Sequence, residues 1–161
     1  MATITKKQVL TERQFGGVPY GNQSVYFYSL VTNSSGVYTD GDSTGAIGAS
    51  DKLRIGVLPA GLRLIDALAI VSDTFRASST GKIGFEYVDG EDSTDVPQDD
   101  DYFFAALDLA AAARTRAANT GVRPVVLPKD AYLILTHGGG NAQNTAGALD
   151  LVITGELVGP A

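Results

Sequence analysis

The side chains best suited to chemistry in this chain are carboxylates gathered in one short stretch. Residues 89–101 read DGEDSTDVPQDDD and carry the acids Asp89, Glu91, Asp92, Asp95, Asp99, Asp100 and Asp101. Calcium is held in proteins by about six to eight oxygen ligands, so the ligand type is suitable. The spacing does not match an EF-hand loop, however, and a flexible run of like charges has no reason to converge on one ion. We therefore interpret the stretch as a solvated acidic loop and expect neither a metal nor a cofactor.

Nucleophilic and acid–base catalysis find little support in the remaining residues. Cysteine is absent, which excludes a thiolate zinc site, a disulfide framework and a cysteine nucleophile. A Ser-His-Asp arrangement has only His137 to use, and no serine lies in a G-x-S-x-G elbow. The many acids do not single out a pair at the separation that glycoside hydrolysis needs. We predict that the protein is not an enzyme.

Length and charge narrow the remaining classes of protein. The chain has 161 residues, which is the length of one domain with one core. Its net charge is −6. A general nucleic-acid binder needs a basic surface, so that class is disfavoured. No apolar run approaches the roughly 20 residues of a membrane span. The first residues lack the apolar segment of a signal peptide, so we expect a soluble protein made in the cytoplasm.

Alternating apolar residues predict a chain built of β-strands. Ile83, Phe85 and Tyr87 alternate with polar or small residues, as in a strand with one wet face. Residues 62–71 are apolar on both sides, with Leu64, Leu68 and Ile70 on one face and Ile65, Ala67, Ala69 and Val71 on the other, which predicts a strand that is central or covered by a neighbour. Gln23–Thr32 is also apolar on both sides, with Val25, Phe27 and Val31 on one face, and we expect it to be well buried. Further strands are predicted at 52–57, 123–127, 131–137 and 149–157, and we infer an all-β sandwich.

One segment favours a helix. Tyr102–Ala113 follows a run of acids and precedes Arg114 and Arg116, an order of charges that suits the helix dipole at both ends. The second half of this segment is equally compatible with a strand. We therefore expect at most one short helix, packed over an end or edge of the sandwich.

The first 22 residues have no regular period and are basic on an acidic protein. Lys6, Lys7 and Arg13 supply the charge, and Phe15 and Tyr20 are possible apolar anchors. One interpretation is a loose terminus. The other is an extended arm that becomes ordered on a partner. We divide the chain into an N-terminal arm, residues 1–22, and a single β-sandwich domain, residues 23–161.

Four runs together resemble a known family. They are RIGVLPAGLRLIDALAIVSDTF, GFEYVDGEDSTDVPQDDDYFFAALDL, RPVVLPKDAYLILTHGG and LDLVITGEL, and they extend from about Lys52 to the C-terminus. This pattern of apolar alternation and turns resembles head decoration, or cement, proteins of tailed bacteriophages. The resemblance implies a jelly-roll β-sandwich, so we expect an all-β, jelly-roll-like sandwich with an extended N-terminal arm.

The resemblance also implies a function without catalysis. Such a protein sits on the outer surface of the phage head, binds the major capsid protein, and acts as a homodimer or homotrimer that braces neighbouring capsomers. It carries no catalytic motif, and neither nucleic acid nor membrane is a partner. From charge contrast and poor fit to a core, we select Lys6, Lys7, Arg13, Phe15 and Tyr20 as the capsid contacts.

A second function is compatible with the same fold. Jelly rolls also serve as carbohydrate- or receptor-binding domains of phage fibres or tails, because fold does not fix function. Such sites usually present exposed aromatic rings, and Tyr20, Tyr38 and Tyr102 are the candidates. Tryptophan is absent, which weakens this alternative.

Overall fold

The computed structural model describes residues 2–6, 23–119, 123–139 and 142–159, and all regular structure in these ranges is β-strand. No helix in these ranges is long and apolar enough to cross a membrane. The strands are β1 (Thr3–Thr5), β2 (Gln23–Thr32), β3 (Lys52–Leu58), β4 (Leu62–Asp73), β5 (Thr80–Tyr87), β6 (Asp99–Asp108), β7 (Ala113–Arg116), β8 (Ala131–Gly138) and β9 (Gly147–Leu157).

The strands form two sheets whose order defines the topology. The five-stranded sheet has the order β1-β3-β8-β5-β6, and the four-stranded sheet has the order β2-β9-β4-β7. From β2 to β9 the strands pair from the outside inward: β2 with β9, β3 with β8, β4 with β7 and β5 with β6, all antiparallel. The β4–β9 and β5–β8 pairings then join these pairs into sheets. An antiparallel ribbon wrapped in this way into two sheets is a jelly roll, which confirms the predicted fold class.

The described N-terminal residues belong to the five-stranded sheet. Thr3–Thr5 pairs in parallel with β3, and Ile4 is only 2% exposed. The backbone N–H of Lys6 donates to the carbonyl of Arg54 at 3.0 Å. Residues 2–6, which the sequence placed in an arm, therefore contribute a strand. The rest of that arm, 7–22, lies outside the described residues, and the domain boundary after residue 22 stays a prediction.

The core lies between the inward faces of the two sheets. Each sheet contributes alternate residues, as expected for strands that bury one side. The largest fully buried side chains include Tyr26, Leu30, Leu53, Ile55, Leu62, Leu64, Ile83 and Phe85.

A close contact between Tyr28 and Gly56 joins the two sheets near the start of the roll. The ring of Tyr28 on β2 lies directly over Gly56 on β3, where a built Cβ would come within 2.0 Å of the ring. The Tyr28 hydroxyl donates to the carbonyl of Val57 at 2.7 Å. The pairing of β3 with β8 shifts register between Arg54 and Gly56, so the contact sits at a bulge. The absence of a side chain at Gly56 is what lets the tyrosine ring lie there.

The predicted helix at Tyr102–Ala113 is wrong. These residues form most of β6, a turn, and the start of β7. Three consecutive side chains, Tyr102, Phe103 and Phe104, are each at most 7% exposed. A helix has one face against the sheet and cannot bury three consecutive rings, whereas β6 shifts register against β5 and does so. Burial of the rings therefore outweighs the helix propensity of the alanines that follow.

The central position of residues 62–71 is confirmed, but the predicted faces are partly wrong. β4 lies between β9 and β7. Its register shifts between Leu64 and Asp66, which exchanges the faces beyond that point. Leu64 is buried with Ala67, while Leu68 lies on the outer face instead of sharing the face of Leu64.

Two connections also differ from the sequence-based expectation. Residues 123–127 do not form a regular strand; among them only Val126 makes a bridge, to Arg63. Pro124 and Pro128 lack backbone N–H groups, which limits a ladder on either side of this bridge. For the glycine-rich stretch after His137 the sequence favours a flexible hairpin connection, but this stretch crosses between the sheets, because β8 and β9 lie in different sheets.

We expect Gly56→Ala to lower the free energy of unfolding by about 1–3 kcal/mol, the usual cost of overpacking a core. The added methyl group must displace the Tyr28 ring from the other sheet. Gly45→Ala is the matched control, because a Cβ there meets its nearest atom at 3.6 Å. Urea denaturation followed by tyrosine fluorescence measures both variants. Equal stability of the two would show that the ring is not confined by Gly56.

Candidate interaction surface

The outer face of the five-stranded sheet is closed by its own charged side chains. Glu86 on β5 accepts from Lys52 Nζ at 2.6 Å and from Arg54 Nε at 2.7 Å. The Arg54 guanidinium also lies 4.5 Å from the ring centroid of Tyr132. Beneath these groups Val57, Tyr132 and Ile134 form a small buried cluster. We call this the charged face; it leaves little apolar surface for a partner.

Burial and ion pairing act in opposite directions on Glu86. Burial by itself would raise the pKa of this carboxyl, but the hydrogen bonds and charges of Lys52 and Arg54 outweigh it and lower the pKa below its ordinary value. The ionised form is therefore the one that the fold stabilises.

The outer face of the four-stranded sheet is different, because apolar side chains are exposed there. On β2 the exposed fractions are 47% for Val25, 63% for Phe27 and 42% for Val31. The register continues this surface across the sheet, since Phe27 pairs with Val152 on β9, which pairs with Leu68 on β4. We call this the apolar face and define it by Val25, Phe27, Val31, Leu68 and Val152.

Charged pairs border the apolar face. Arg116 Nε on β7 lies 2.7 Å from a carboxylate oxygen of Asp66. Arg63 Nη1 lies 2.5 Å from a carboxylate oxygen of Glu156 at the end of β9. An apolar centre with a polar border is the usual composition of a protein–protein contact.

Burial of both faces of Gln23–Thr32 was therefore a wrong expectation. Tyr26, Tyr28 and Leu30 are at most 3% exposed, but the alternate residues face outward. Both faces of this strand are apolar in the sequence, so the hydrophobic periodicity does not indicate which face is buried. Gly56 is a signal for the inner face, because it leaves room for the Tyr28 ring, but it is far from this strand in the sequence.

Only one of the five predicted capsid contacts falls in the described ranges. Lys6 is half-buried at the end of β1, where it forms a bridge with Gly41. Lys7, Arg13, Phe15 and Tyr20 lie outside the described residues. The predicted site as a set stays a prediction, and the apolar face is the surface that the sequence missed.

A buried polar network surrounds His137 and has the residue types of a catalytic triad without its geometry. His137 Nδ1 donates to the carbonyl of Gly48 at 2.9 Å, and Nε2 accepts from the Gln143 amide at 2.7 Å. That amide also donates to Ser79 Oγ at 2.5 Å, so the serine bonds glutamine and not the imidazole. Asp51 accepts from the backbone N–H groups of Ala2 and Gly48. The imidazole, the serine hydroxyl and the carboxylate are not linked in series, so they do not form a catalytic triad. The network holds neighbouring loops together.

The acidic loop is organised by its own hydrogen bonds. Asp92 accepts from the backbone N–H groups of Ser93 and Gln98, which holds the pKa of Asp92 below its ordinary value. Lys129 Nζ donates to Asp89 at 2.8 Å. Asp99, Asp100 and Asp101 bring carboxylate oxygens within 4.8 Å of one another, and Lys82 lies 3.5 Å from Asp100. The Lys82 ammonium group therefore supplies a positive charge beside these carboxylates.

We expect Glu86→Gln to lower the free energy of unfolding by about 1–2 kcal/mol at pH 7, since it leaves Lys52 and Arg54 without their carboxylate in a half-buried site. The pKa of Glu86 is lower in the folded state, so its stabilising contribution is complete above about pH 4.3, the ordinary value. It is lost as the pH falls through the folded-state pKa.

The difference between the two proteins should therefore shrink below about pH 4.3 in denaturation measured across pH. Asp89→Asn is the control, because that carboxylate pairs with Lys129 in solvent and its loss should change stability far less. A difference that is constant down to pH 2 would contradict the assignment.

Comparison with known proteins gives matches in structure alone. No protein-family model matches the sequence, and no curated protein matches it either. A chain in the capsid structure of Ralstonia phage GP4 superposes with a TM-score of 0.62 at 15% identity, over 99% of this chain and 100% of that one. A chain in the capsid asymmetric unit of cyanophage Pam1 gives 0.53 at 16% identity, over 92% and 95%. At these identities the likeness establishes that the jelly-roll fold of this chain also occurs in chains of phage capsid structures.

Proposed function

We propose that this chain is a structural protein of a tailed-phage head that binds the outer surface of the assembled capsid and stabilises contacts between capsomers. The observation that carries the proposal is the match in fold over nearly the whole of both chains to a chain in a phage capsid structure. Full coverage in both directions means that the matched chain is about as long as this one.

The two outer faces of the sandwich suit such a position. A protein on the surface of a shell has one side against protein and one side in water. The charged face covers its apolar residues with Lys52, Arg54 and Glu86, whereas the apolar face leaves Phe27 63% exposed. Exposed apolar residues bordered by charge mark interaction sites. The difference between the charged face and the apolar face has no role in a monomer that is exposed to solvent on every side.

The mechanism is thermodynamic. A protein that binds the assembled shell and not the free capsomer stabilises the shell by mass action. Symmetry repeats each weak contact many times, which adds avidity. The partners are the major capsid protein and further copies of this chain, as a homodimer or homotrimer, and the position is the outer surface of the virion. No catalytic step, nucleic acid or membrane is part of this function.

The capsid contacts proposed from the sequence remain Lys6, Lys7, Arg13, Phe15 and Tyr20. A basic segment with apolar anchors complements an acidic, apolar partner. Of these, Lys6 has its backbone N–H hydrogen-bonded to Arg54 on β3 of the five-stranded sheet.

The carbohydrate-binding alternative loses two of its three candidate aromatic residues. Tyr38 is 1% exposed and Tyr102 is 7% exposed, and the Tyr102 hydroxyl donates to the carbonyl of Arg123 at 2.8 Å. Neither ring can stack on a sugar without unfolding its surroundings. Tyr20 lies outside the described residues.

Co-sedimentation with undecorated phage heads tests the function. We expect saturable binding at a fixed ratio to the major capsid protein and a higher temperature of head disruption. Absence of binding at any concentration would overturn the proposal, and a glycan array would then test the alternative.

The arm is tested by replacing Lys7, Arg13, Phe15 and Tyr20 together with alanine. Deletion of residues 1–21 is less suitable, because it would also remove β1 and its buried Ile4. We expect at least about a tenfold loss of head occupancy, as for removal of anchoring contacts. The matched control replaces the exposed Arg114 with alanine and should bind as the parent does. Unchanged occupancy of the arm variant would exclude the arm as the contact.

A further inference from the structure

The single histidine of the chain lies near the end of β8, and side chains from two loops bury it. His137 and Gln143 are each 2% exposed, and Ser79 is 3% exposed. Ser79 lies between β4 and β5, and Gln143 lies before β9. We call these three residues the His137 network. A buried titratable ring at a junction of loops is suited to couple their positions to pH.

The hydrogen bonds of the His137 network fit one protonation state of the ring. Nδ1 of His137 lies 2.9 Å from the carbonyl oxygen of Gly48, which can only accept, so Nδ1 carries the proton and Nε2 is the acceptor. The Gln143 amide nitrogen donates to Nε2 at 2.7 Å and to Ser79 Oγ at 2.5 Å. The Gln143 oxygen accepts from the backbone N–H of Arg76 at 2.9 Å. All of these groups are satisfied while the ring is neutral.

A second proton on the ring breaks this arrangement. The new Nε2–H would point at the amide N–H of Gln143 across 2.7 Å. Rotating the amide by half a turn brings its oxygen to the ring, but it also places the amide nitrogen against the backbone N–H of Arg76. Either orientation sets two donors against each other in a buried site, and an unsatisfied buried donor is costly. The closed network therefore disfavours the charged ring.

The loops around the ring carry charges of opposite sign. The Asp51 carboxylate accepts from the backbone N–H groups of Gly48 at 2.7 Å and Ala2 at 2.8 Å. The Arg76 guanidinium donates to the carbonyl of Ala142 at 2.9 Å. A carboxylate favours a charged imidazole and a guanidinium opposes it. These two charges act against each other, so the mismatch of hydrogen bonds decides the direction.

The neighbouring strands place no charge in the same row as the ring. Gly81 on β5 pairs with His137, and Leu107 on β6 pairs with Gly81. Lys52 and Lys82 both pair with the preceding residue of β8, so their side chains lie on the opposite face of the sheet.

The backbone beside the His137 network is strained. Among the described residues, Ser50 and Ser78 are the non-glycine residues with positive φ, at 64° and 65°. The backbone N–H of Ser50 donates to the carbonyl of His137 at 2.9 Å, and Ser78 directly precedes Ser79. Such conformations persist only where the surroundings hold them, and they occur at switch regions. Opening of the network would let both residues relax.

We propose that the His137 network is a proton-sensitive switch, which holds residues 48–51, 74–79 and 142–146 together while the ring is neutral and releases them when the ring takes up a second proton. These segments cover apolar side chains at this end of the core, since Phe75 is 5% exposed and Ile47 is 2% exposed. Release therefore uncovers apolar surface at acid pH. The inference requires neither capsid binding nor self-association.

The direction and size of the pH effect follow from proton linkage. An imidazole in water takes up its second proton near pH 6.5, so the opened form binds more protons than the closed form below about that pH. Opening is therefore favoured as the pH falls. A ring that is charged only in the opened form raises the opening constant about tenfold between pH 7.5 and pH 5.5.

Amide hydrogen exchange of the full chain, read residue by residue by NMR, measures the opening constants. The exchange rate is divided by the intrinsic rate at each pH. We expect the constants of Ser50, Phe75 and Gln143 to rise about tenfold from pH 7.5 to pH 5.5, because their N–H groups are bonded within the switch segments. The amide of Val88, bonded to Asp130 beyond the other end of β5, is the internal control and should not change.

Gln143→Glu separates the switch from a general effect of acid. Its carboxylate can accept from the charged ring, from the Ser79 hydroxyl and from the Arg76 N–H, so the pH response should reverse. Gln98→Glu is the matched control, because it introduces the same charge near Tyr87 at the other end of β5. It should respond as the parent does.

Nitrogen chemical shifts of the single imidazole test the starting state on the parent protein, so the inference stays testable if Gln143→Glu does not fold. We expect a neutral ring with its proton on Nδ1 at pH 7.5. A ring protonated on Nε2 at that pH would overturn the inference. So would equal rises in the opening constants at both ends of β5, no rise at the switch segments, or a rise in Gln143→Glu that matches the parent.

Discussion

The placement of the Tyr28 ring against the bare backbone of Gly56 decides which side of β2 faces the core. A strand has two faces, and a slip of one residue exchanges them completely. With Tyr28 inside, Tyr26 and Leu30 are inside as well, and the alternate residues Val25 and Phe27 must face outward. The chemical character of the whole outer sheet follows from one inter-sheet contact that a side chain at Gly56 would prevent.

The two outer faces show two ways of treating apolar residues that a thin sandwich cannot place in its core. On the five-stranded sheet, Lys52 and Arg54 extend their aliphatic stems across the surface and share Glu86, so charge covers Val57 and Ile134. On the four-stranded sheet Arg116 and Arg63 each hold an acid, and apolar side chains such as Phe27 stay exposed beside these pairs. The first arrangement suits contact with water, and the second suits contact with protein.

Sequence patterns predicted the architecture well and the surface poorly. Alternation at Ile83, Phe85 and Tyr87 predicts a strand because only one of its faces is apolar. The same reasoning fails at Phe27, where both faces are apolar, and at Phe103, where a register shift lets consecutive rings be buried. The hydrogen-bond network at His137 could not be predicted from the sequence either, because Gly48, Ser79 and Gln143 come together from three separate loops. Period and propensity are local quantities, whereas bulges and loop contacts are set by the packing of distant strands.

The outside-in pairing of the strands has a consequence for how the molecule reaches its native state. Gln23 pairs with Glu156 and Lys52 pairs with Thr136, so the first strands of the roll find their neighbours only near the other end of the sequence. Contacts between residues so far apart in the sequence form only after large loops have closed, which costs conformational entropy before any stabilising contact is made. Chains dominated by such contacts fold slowly. During synthesis on the ribosome, β2 must wait without its β-ladder partner until residues 147–157 have emerged. In that interval the uncharged strand is open to pairing with the wrong chain, which makes chaperone binding and growth temperature strong determinants of its yield.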